Sequence, residues 1–217
     1  MTFGAGVFER FDFDYDYFEE FRFYDDLYLV DLETGCKERL TWGERATRPD
    51  VGRDGRTVVY VSHTGAGEIS LRRMRLDALV PETLLHLPGA QIFAPRLSPD
   101  GKRIAFELQI GKRRDIAVWE DGTVVRITDD DAIDTGPAWS PDGARLYFSS
   151  DRGGVYNLYA WEAGPGTPAA AEPGFPPVTP GRVRQVTNVE TGAFEPDPSP
   201  DGQTLVFVTY SRAGYDL

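Results

Sequence analysis

Few residues in this sequence could carry out catalysis. His63 and His86 are its two histidines, and Cys36 is its one cysteine. A Ser-His-Asp hydrolase of the common kind places its serine in a G-x-S-x-G elbow, and that pentapeptide does not occur here. The H-E-x-x-H and C-x-x-C metal patterns and the glycine-rich phosphate loops are also missing from the sequence. The sequence therefore predicts a protein without catalytic residues, without a bound metal and without a cofactor.

Carboxylates near the N-terminus are the other group that could do chemistry, because alternating acids bind calcium. Asp12, Asp14 and Asp16 match the first three ligands of a calcium-binding loop. Tyr17 and Phe23, however, stand where such a loop needs its glycine and its last glutamate. An alternation of aromatic and acidic residues is typical of a strand with one buried face, and we expect such a strand in this segment.

The overall charge of the chain is strongly negative. It has 23 Lys+Arg residues against 35 Asp+Glu residues, for a formal net charge of -12. This charge repels polyanions, so nucleic acids and anionic membranes are not expected partners. The basic clusters Arg72–Arg75 and Lys112–Arg114 and the acidic run Asp129–Asp131 are predicted to be solvated surface segments.

Neither export nor membrane insertion is predicted from the chain as written. No run of eighteen apolar residues occurs, and the N-terminal residues lack the order of basic, apolar and small residues of a signal peptide. With a single cysteine, an intrachain disulfide is excluded.

A repeated motif, centred on the sequence S-P-D-G, organises the chain. Three copies contain the full S-P-D-G sequence, at residues 94–106, 136–148 and 195–207, and one degenerate copy occurs at residues 48–60. The aspartates of the turns, Asp54, Asp100, Asp142 and Asp201, are separated by 46, 42 and 59 residues. A Pro/Ala/Gly-rich insert, residues 164–181, lengthens the last interval and is predicted to be a flexible excursion between two strands. Without the insert, the period is about 42 residues, as in four-stranded propeller blades.

Each copy of the motif predicts a tight turn between two strands. Proline presets its own φ, aspartate accepts a hydrogen bond from the backbone two residues on, and glycine adopts the positive φ that follows. Two further strands complete each unit, and no segment has a helical period. A single sheet of this kind cannot bury both of its apolar faces, so the units must stack. The predicted fold is therefore an all-β propeller segment of four to five four-stranded blade units, forming an incomplete ring.

These residues resemble the TolB-like propeller repeat, whose pattern runs through S-P-D-G, S-x-R-x-G, a D/N-L-Y strand and a closing R-x-L-T strand. The third unit matches this pattern at Trp139–Gly143, Ser149–Gly154, Asn157–Tyr159 and Gln185–Thr187. The resemblance covers residues 26–217, including the insert 164–181. Residues 1–25 lack the turn motif and are predicted to be a degenerate or non-canonical strand segment.

The resemblance implies a non-enzymatic, protein-binding propeller of a bacterial envelope protein, located in the periplasm or otherwise outside the cytoplasm. Its implied partners are other envelope proteins. Similar blades occur in tricorn-type proteases and in prolyl-oligopeptidase relatives, so the motif defines the repeat rather than the function. The alternative is the gating propeller of a serine peptidase without its catalytic domain. Because Leu217 falls inside an expected third strand, the chain resembles part of a longer protein, which could self-associate through open blade edges.

The predicted binding surface lies where two kinds of loop meet. In a propeller, the loop between the second and third strands of a blade lies on the same face as the loop leading into the next blade. Residues 150–154 and 129–135 are such loops, and Asp151, Arg152, Asp134 and Asp129 are the predicted protein-binding residues. The competing interpretation is structural: Asp151 and Arg152 pair with each other or cap the turn.

Overall fold

The structure is a computed structural model that describes the backbone of residues 5–13, 23–63, 67–166, 168–169, 171, 173–211 and 214–216. Side chains are described from residue 25 to residue 210 within these ranges. Every regular element in this part of the chain is a β-strand, and no helix there is long and apolar enough to cross a membrane. The strands form five antiparallel sheets, which we call blades 1 to 5 in chain order. The predicted all-β propeller segment of four to five blade units is confirmed.

The first compact unit, Met1–Pro88, contains two blades. Blade 1 has three strands: β1 (Ala5–Phe13), β2 (Phe23–Asp31) and β3 (Lys37–Arg39). Blade 2 has four: β4 (Thr47–Val51), β5 (Thr57–His63), β6 (Ile69–Arg75) and β7 (Glu82–His86). The core between them contains Leu27, Leu40, Ala46, Val58, Tyr60 and Met74.

The N-terminal segment contributes a strand to blade 1. β1 pairs with β2 along its whole length, so residues 5–13 form the strand beside the D/N-L-Y strand. Of the predicted strand of alternating acidic and aromatic residues, the part up to Phe13 lies in β1. Asp14 and Asp16 lie outside the described residues.

The second compact unit, Gly89–Leu217, contains three blades. Blade 3 consists of β8 (Ala90–Leu97), β9 (Arg103–Ile110), β10 (Arg113–Glu120) and β11 (Thr123–Arg126). Blade 4 consists of β12 (Asp134–Trp139), β13 (Arg145–Ser150), β14 (Asn157–Ala163) and β15 (Gly181–Gln185). Blade 5 consists of β16 (Ala193–Pro198), β17 (Leu205–Ser211) and β18 (Gly214–Asp216).

The core between blades 3 and 4 follows from strand alternation. Alternate side chains of β13 and β14 point toward blade 3, and these are aromatic or aliphatic. They include Leu146, Phe148, Tyr159 and Trp161, each at most 6% exposed. They pack on Ala105, Ile116, Val118 and Ile127 of blade 3. Complete burial of one such aliphatic or Phe side chain stabilises the fold by about 1.5–3 kcal/mol.

The S-P-D-G turns form as the motif predicts. In each, the serine hydroxyl donates to the aspartate at 2.5 Å, and the glycine N–H donates to the serine carbonyl at 2.8 Å. Their glycines, Gly101, Gly143 and Gly202, have φ of 70° or 71°, a conformation that L side chains rarely adopt. In the degenerate copy, Gly52 replaces the serine, and Asp54 instead accepts hydrogen bonds from the side chain and backbone of Thr57 at 2.7 and 2.9 Å.

A pair of side chains, which we call the latch, joins the D/N-L-Y strand to the segment after the next strand in blades 1, 3 and 4. The hydroxyl of a threonine donates to an aspartate or asparagine, with oxygen–oxygen distances of 2.7 Å for Thr41–Asp26, 3.5 Å for Thr128–Asp115 and 3.0 Å for Thr187–Asn157. The same threonine oxygen accepts the N–H of the next residue on the D/N-L-Y strand at 2.9 Å in all three blades. This geometry explains why the repeat carries D/N-L-Y and a closing threonine.

The residue two positions before the latch threonine balances the charge of the latch acceptor: it is arginine where the acceptor is aspartate and glutamine where the acceptor is asparagine. Where the acceptor is Asp115, that residue is Arg126, and the two make an ion pair of 3.1 Å with side chains 2% and 1% exposed. Asp26 likewise pairs with Arg39. In blade 4, where the acceptor is the neutral Asn157, the position is Gln185. A buried carboxylate is costly without a cationic partner, whereas an amide is not.

The insert between β14 and β15 is not wholly the free excursion that its composition predicts. The N–H of Arg126 donates to Pro177 at 2.7 Å, and the N–H of Thr179 donates to Arg126 at 2.9 Å. Arg126 and Val178 therefore form a parallel bridge. Residues 175–179, which we call the strap, extend blade 3 beyond its last strand.

The turn aspartates make the fold sensitive to acid. Hydrogen bonds from Thr57 lower the pKa of Asp54 to about 2, and a hydrogen bond from the turn serine lowers the pKa of Asp100, Asp142 and Asp201. Their stabilising effect is complete above the unfolded pKa of about 4 and is lost as the pH falls through the folded pKa.

We expect the thermal midpoint of Asp54→Asn to fall less steeply than that of the wild type between about pH 4 and 2. Asp121→Asn, an exposed aspartate in the β10–β11 turn, is the control with the same charge change. A wild-type slope in Asp54→Asn would contradict the prediction.

The latch predicts a specific rescue. Asn157→Asp places a buried carboxylate opposite Gln185 and should lower the free energy of unfolding by about 2–3 kcal/mol. Adding Gln185→Arg recreates the pair of blade 3 and should recover at least half of the loss. Urea unfolding of the two single variants and the double variant gives the coupling energy. Additive effects of the two substitutions would show that charge matching is not the reason for this pattern.

Candidate functional site

The predicted binding loops lie together at one end of the second unit. Ile133 forms a parallel bridge with Arg114, and its N–H donates to the carboxylate of Asp151 at 2.8 Å. The N–H of Ala193 donates to the carbonyl of Tyr156 at 2.9 Å. The loops between second and third strands therefore contact the segments that lead into the next blade, as expected. We call this region, residues 111–114, 127–136, 151–156 and 186–194, the loop end.

Arg152 and Asp134 have a structural role that the sequence did not predict. Asp134 begins β12 with its side chain 0% exposed, and one guanidinium nitrogen of Arg152 lies 3.0 and 3.1 Å from its two oxygens. Arg152 also donates to Ser150 at 2.9 Å. Its guanidinium lies 4.9 Å from the centre of the Tyr159 ring. With a side chain only 21% exposed, Arg152 is largely committed to contacts within blade 4.

The position of Asp134 is apolar in blades 2, 3 and 5. Ala46, Ile92 and Ala193 occupy the corresponding positions at the starts of the other first strands, and all are buried. Burial raises the pKa of Asp134, while hydrogen bonds from Ser150 and Thr128 and the charge of Arg152 act in the opposite direction. Arg152 therefore neutralises a buried carboxylate. Of the four aligned positions, only that of blade 4 carries a carboxylate. Neither a pairing of Asp151 with Arg152 nor a freely exposed Arg152 describes the arrangement.

The acidic loop Asp129–Asp131 retains accessible charge. Asp129 accepts a hydrogen bond from Arg126 at 2.6 Å and lies 3.3 Å from Arg113, with its side chain 31% exposed. Asp130 lies 3.5 Å from Arg152 and is 44% exposed, and Asp131 is exposed. Asp129, Asp130, Asp131 and Asp151 all keep accessible surface in the loop end, and we call these four residues the acidic border. Within the described residues, no group of His, Cys, Asp and Glu side chains has the arrangement of a metal site.

Sequence reasoning missed a row of half-buried side chains beside the acidic border. Its members, which we call the aromatic-arginine row, are Phe93, Arg114, Tyr156 and Phe194. The guanidinium of Arg114 lies 4.6 Å from the centre of the Phe93 ring, and the ring centres of Tyr156 and Phe194 are 5.0 Å apart. Arg114 is also held by Glu107 at 2.7 Å. Burial raises the pKa of Tyr156, with Asp151 adding to the effect and Arg114 opposing it.

The repeat itself contained a signal for this row. Phe93 and Phe194 occupy the same repeat position, two residues before the proline of the first strand. Arg114 and Tyr156 likewise share the position before the latch residue of the third strand. Aligning the units on these latch residues would have collected all four positions. Their closeness across blades, however, follows only from the folded structure.

A backbone irregularity accompanies the row. Ala94 and Glu195, which follow the two phenylalanines, have φ of 44° and 52°, although neither is glycine. Gly136 has φ 62° at the same point in blade 4, and its N–H donates to Glu107 at 2.8 Å. Strand pairing shifts register at each of these points, so they are β-bulges. Bulges redirect side chains and are common beside functional sites.

The fold places the chain in the class of β-propeller proteins built from four-stranded antiparallel blades. A family described as the TolB beta propeller domain matches residues 81–171. TolB from Acinetobacter baumannii superposes on 88% of this chain with a TM-score of 0.72 and 23% identity, and 45% of its own chain is covered. A putative TolB from Agrobacterium tumefaciens gives a TM-score of 0.66 and 24% identity, covering 86% of this chain and 63% of its own. The blades are TolB-like, as the sequence predicts.

Two further relatives mark the extent of the likeness. An uncharacterized protein of Agrobacterium fabrum is 33% identical over 82 residues, which are 37% of this chain and 27% of that protein. The tricorn protease superposes on 86% of this chain with a TM-score of 0.60 and 18% identity, over 21% of its own length. The chain thus spans less than two thirds of each of these relatives. At these identities, the structural matches establish the fold alone.

The contacts of Arg152 lead to a prediction about stability. Arg152→Glu leaves Asp134 buried without its partner and adds a second negative charge, so it should lower the free energy of unfolding by about 3–5 kcal/mol. Arg145→Glu is the control, because the Arg145–Glu162 pair is exposed and should cost about 1 kcal/mol or less. Urea unfolding monitored by tryptophan fluorescence measures both. Equal effects of the two substitutions would mean that the Arg152–Asp134 pair contributes no more than a surface pair.

Proposed function

We propose that the loop end of the second unit is a protein-binding surface and that the protein acts without catalysis in a bacterial envelope. The aromatic-arginine row carries this proposal. Aromatic and arginine side chains are enriched at the centres of protein interfaces, where they account for much of the binding energy. In this row they are half-buried and fixed by neighbouring strands, so little ordering remains to oppose binding.

The acidic border gives the surface a preferred electrostatic character. The acidic border lies beside Arg114 and Tyr156 of the row, and the chain as a whole has a charge of -12. Border charges mainly accelerate association and discriminate between partners, while the central contacts supply most of the affinity. A partner that presents basic residues around an apolar or aromatic centre fits this surface.

An extracytoplasmic location and envelope partners are part of this proposal. They are supported by the likeness of the blades to TolB proteins. The second candidate is the propeller of a serine peptidase, supported by the superposition on the tricorn protease and on a prolyl endopeptidase, with TM-scores of 0.60 and 0.58. The longer coding sequence separates the two, because a downstream G-x-S-x-G elbow would favour the peptidase.

The proposal predicts that the row is required for partner capture. The double variant Phe93→Ala/Phe194→Ala should reduce capture of an envelope partner at least fivefold, since one central contact contributes more than about 1 kcal/mol. Capture is measured from a bacterial envelope extract by quantitative mass spectrometry, with a match of far-UV circular dichroism to the wild type required first.

Val206→Ala is the matched control. Val206 is an exposed apolar residue next to the S-P-D-G turn of blade 5, at the other end of the sheet from the loop end. Its substitution should leave capture unchanged. Capture that survives the double variant, or that depends equally on Val206, would show that the partner binds elsewhere.

A further inference from the structure

The outer edge of blade 3 is occupied by a segment from a different blade. β11 is the last strand of blade 3, and the strap, residues 175–179, comes from the insert of blade 4. One parallel bridge and two backbone hydrogen bonds, both involving Arg126, join the strap to β11. The strap therefore sits where an additional strand of blade 3 would lie.

Side chains of blade 3 form a cradle for the strap. The ring of Phe175 has the guanidinium of Arg126 at 4.9 Å and that of Arg113 at 5.3 Å from its centre. The Nε of Arg126 donates to the carbonyl of Pro176 at 3.1 Å. The two guanidinium groups make cation–π contacts only with an aromatic ring. The charged Arg126 donates its hydrogen bond to a carbonyl on the residue after that ring. The cradle thus recognises an extended segment with an aromatic residue at its first position.

The strap has the features of a replaceable occupant. Its residues are half-buried, while those of the preceding part of the insert that the structure describes, from 165 to 174, are exposed. One hydrogen bond within the insert, from the N–H of Ala169 to Val178 at 2.8 Å, connects the two parts. Pro176 and Pro177 have no N–H, so the strap offers few donors to a further strand. The strap closes the edge without being part of a continuous ladder.

We propose that the edge of β11 is a strand-addition site, which the strap occupies within the chain and which accepts an extended peptide segment of another protein in its place. The segment carries an aromatic residue, backbone carbonyls at the next two positions and an N–H at the fourth position after the aromatic residue. Main-chain bonds to an exposed edge give such complexes affinity, and side-chain pockets give specificity. This site borders the loop end, with which it shares Arg113, but it does not depend on the function proposed for that surface.

The direct test removes the strap and supplies it as a peptide. Replacing residues 165–179 by Asn-Gly joins β14 to β15 through a short hairpin turn, because Gly164 and Pro180 are already hydrogen-bonded at 3.0 Å. The probe is a fluorescent peptide with the sequence of residues 173–180, measured by anisotropy. It should bind the shortened chain at least tenfold more tightly than the intact chain. A peptide with alanine at the position of Phe175 should bind at least tenfold more weakly.

A second variant keeps the test decisive if the shortened chain does not fold. Phe175→Ala in the intact chain should loosen the strap, increase hydrogen exchange at the amides of Arg126 and Thr179, and increase binding of the unchanged peptide. Pro168→Ala, in the exposed part of the insert, is the control and should change neither. Failure of the peptide to bind a folded shortened chain would overturn the proposal. So would unchanged exchange and peptide binding in Phe175→Ala, or dimerisation of the shortened chain that the peptide does not reverse.

Discussion

The latch between a threonine and an aspartate or asparagine determines where each outer strand ends and where the next blade begins. In blades 1, 3 and 4, one threonine hydroxyl bonds both a side chain of the D/N-L-Y strand and the N–H that follows it. The chain leaves the blade directly after that threonine. The acidic loop at residues 129–131 and the buried Asp134 are therefore positioned by Thr128, and the segment that leads to Phe194 is positioned by Thr187. A shift of the latch would move every side chain of the loop end.

Charge balance around the latch shows how a polar group can be part of a propeller core. Asp115 is buried together with Arg126, and the guanidinium also reaches Asp129 and the carbonyl of Pro176. A buried ion pair seldom adds stability over an apolar pair, but losing one partner is costly. The strap keeps solvent from Arg126, so the insert and the latch of blade 3 depend on each other.

The local features of this fold were predictable from the sequence, whereas its contacts between blades were not. The S-P-D-G turns, the strands beside them and the period of about 42 residues follow from φ preferences and alternation within short segments. The contacts of Arg152 were not predictable, because its partner Asp134 lies 18 residues away in another strand, at a position where blades 2, 3 and 5 have alanine or isoleucine. The strap bonds β11 across 50 residues, and a proline-rich composition gives no indication of such pairing. The aromatic-arginine row was visible in the alignment of the repeats, but its members meet only through neighbouring blades.

The exchange of Asp and Arg in blade 3 for Asn and Gln in blade 4 has an evolutionary consequence. A blade whose latch is neutral, or is neutralised by an arginine two residues before its own threonine, leaves no unbalanced charge for its neighbours to compensate. Such a unit can be duplicated within a gene, deleted or recombined without creating an isolated buried ion at the new junction. Drift from the charged to the amide form then involves two positions in the same unit, so charged and amide latches can occur in neighbouring blades of one chain.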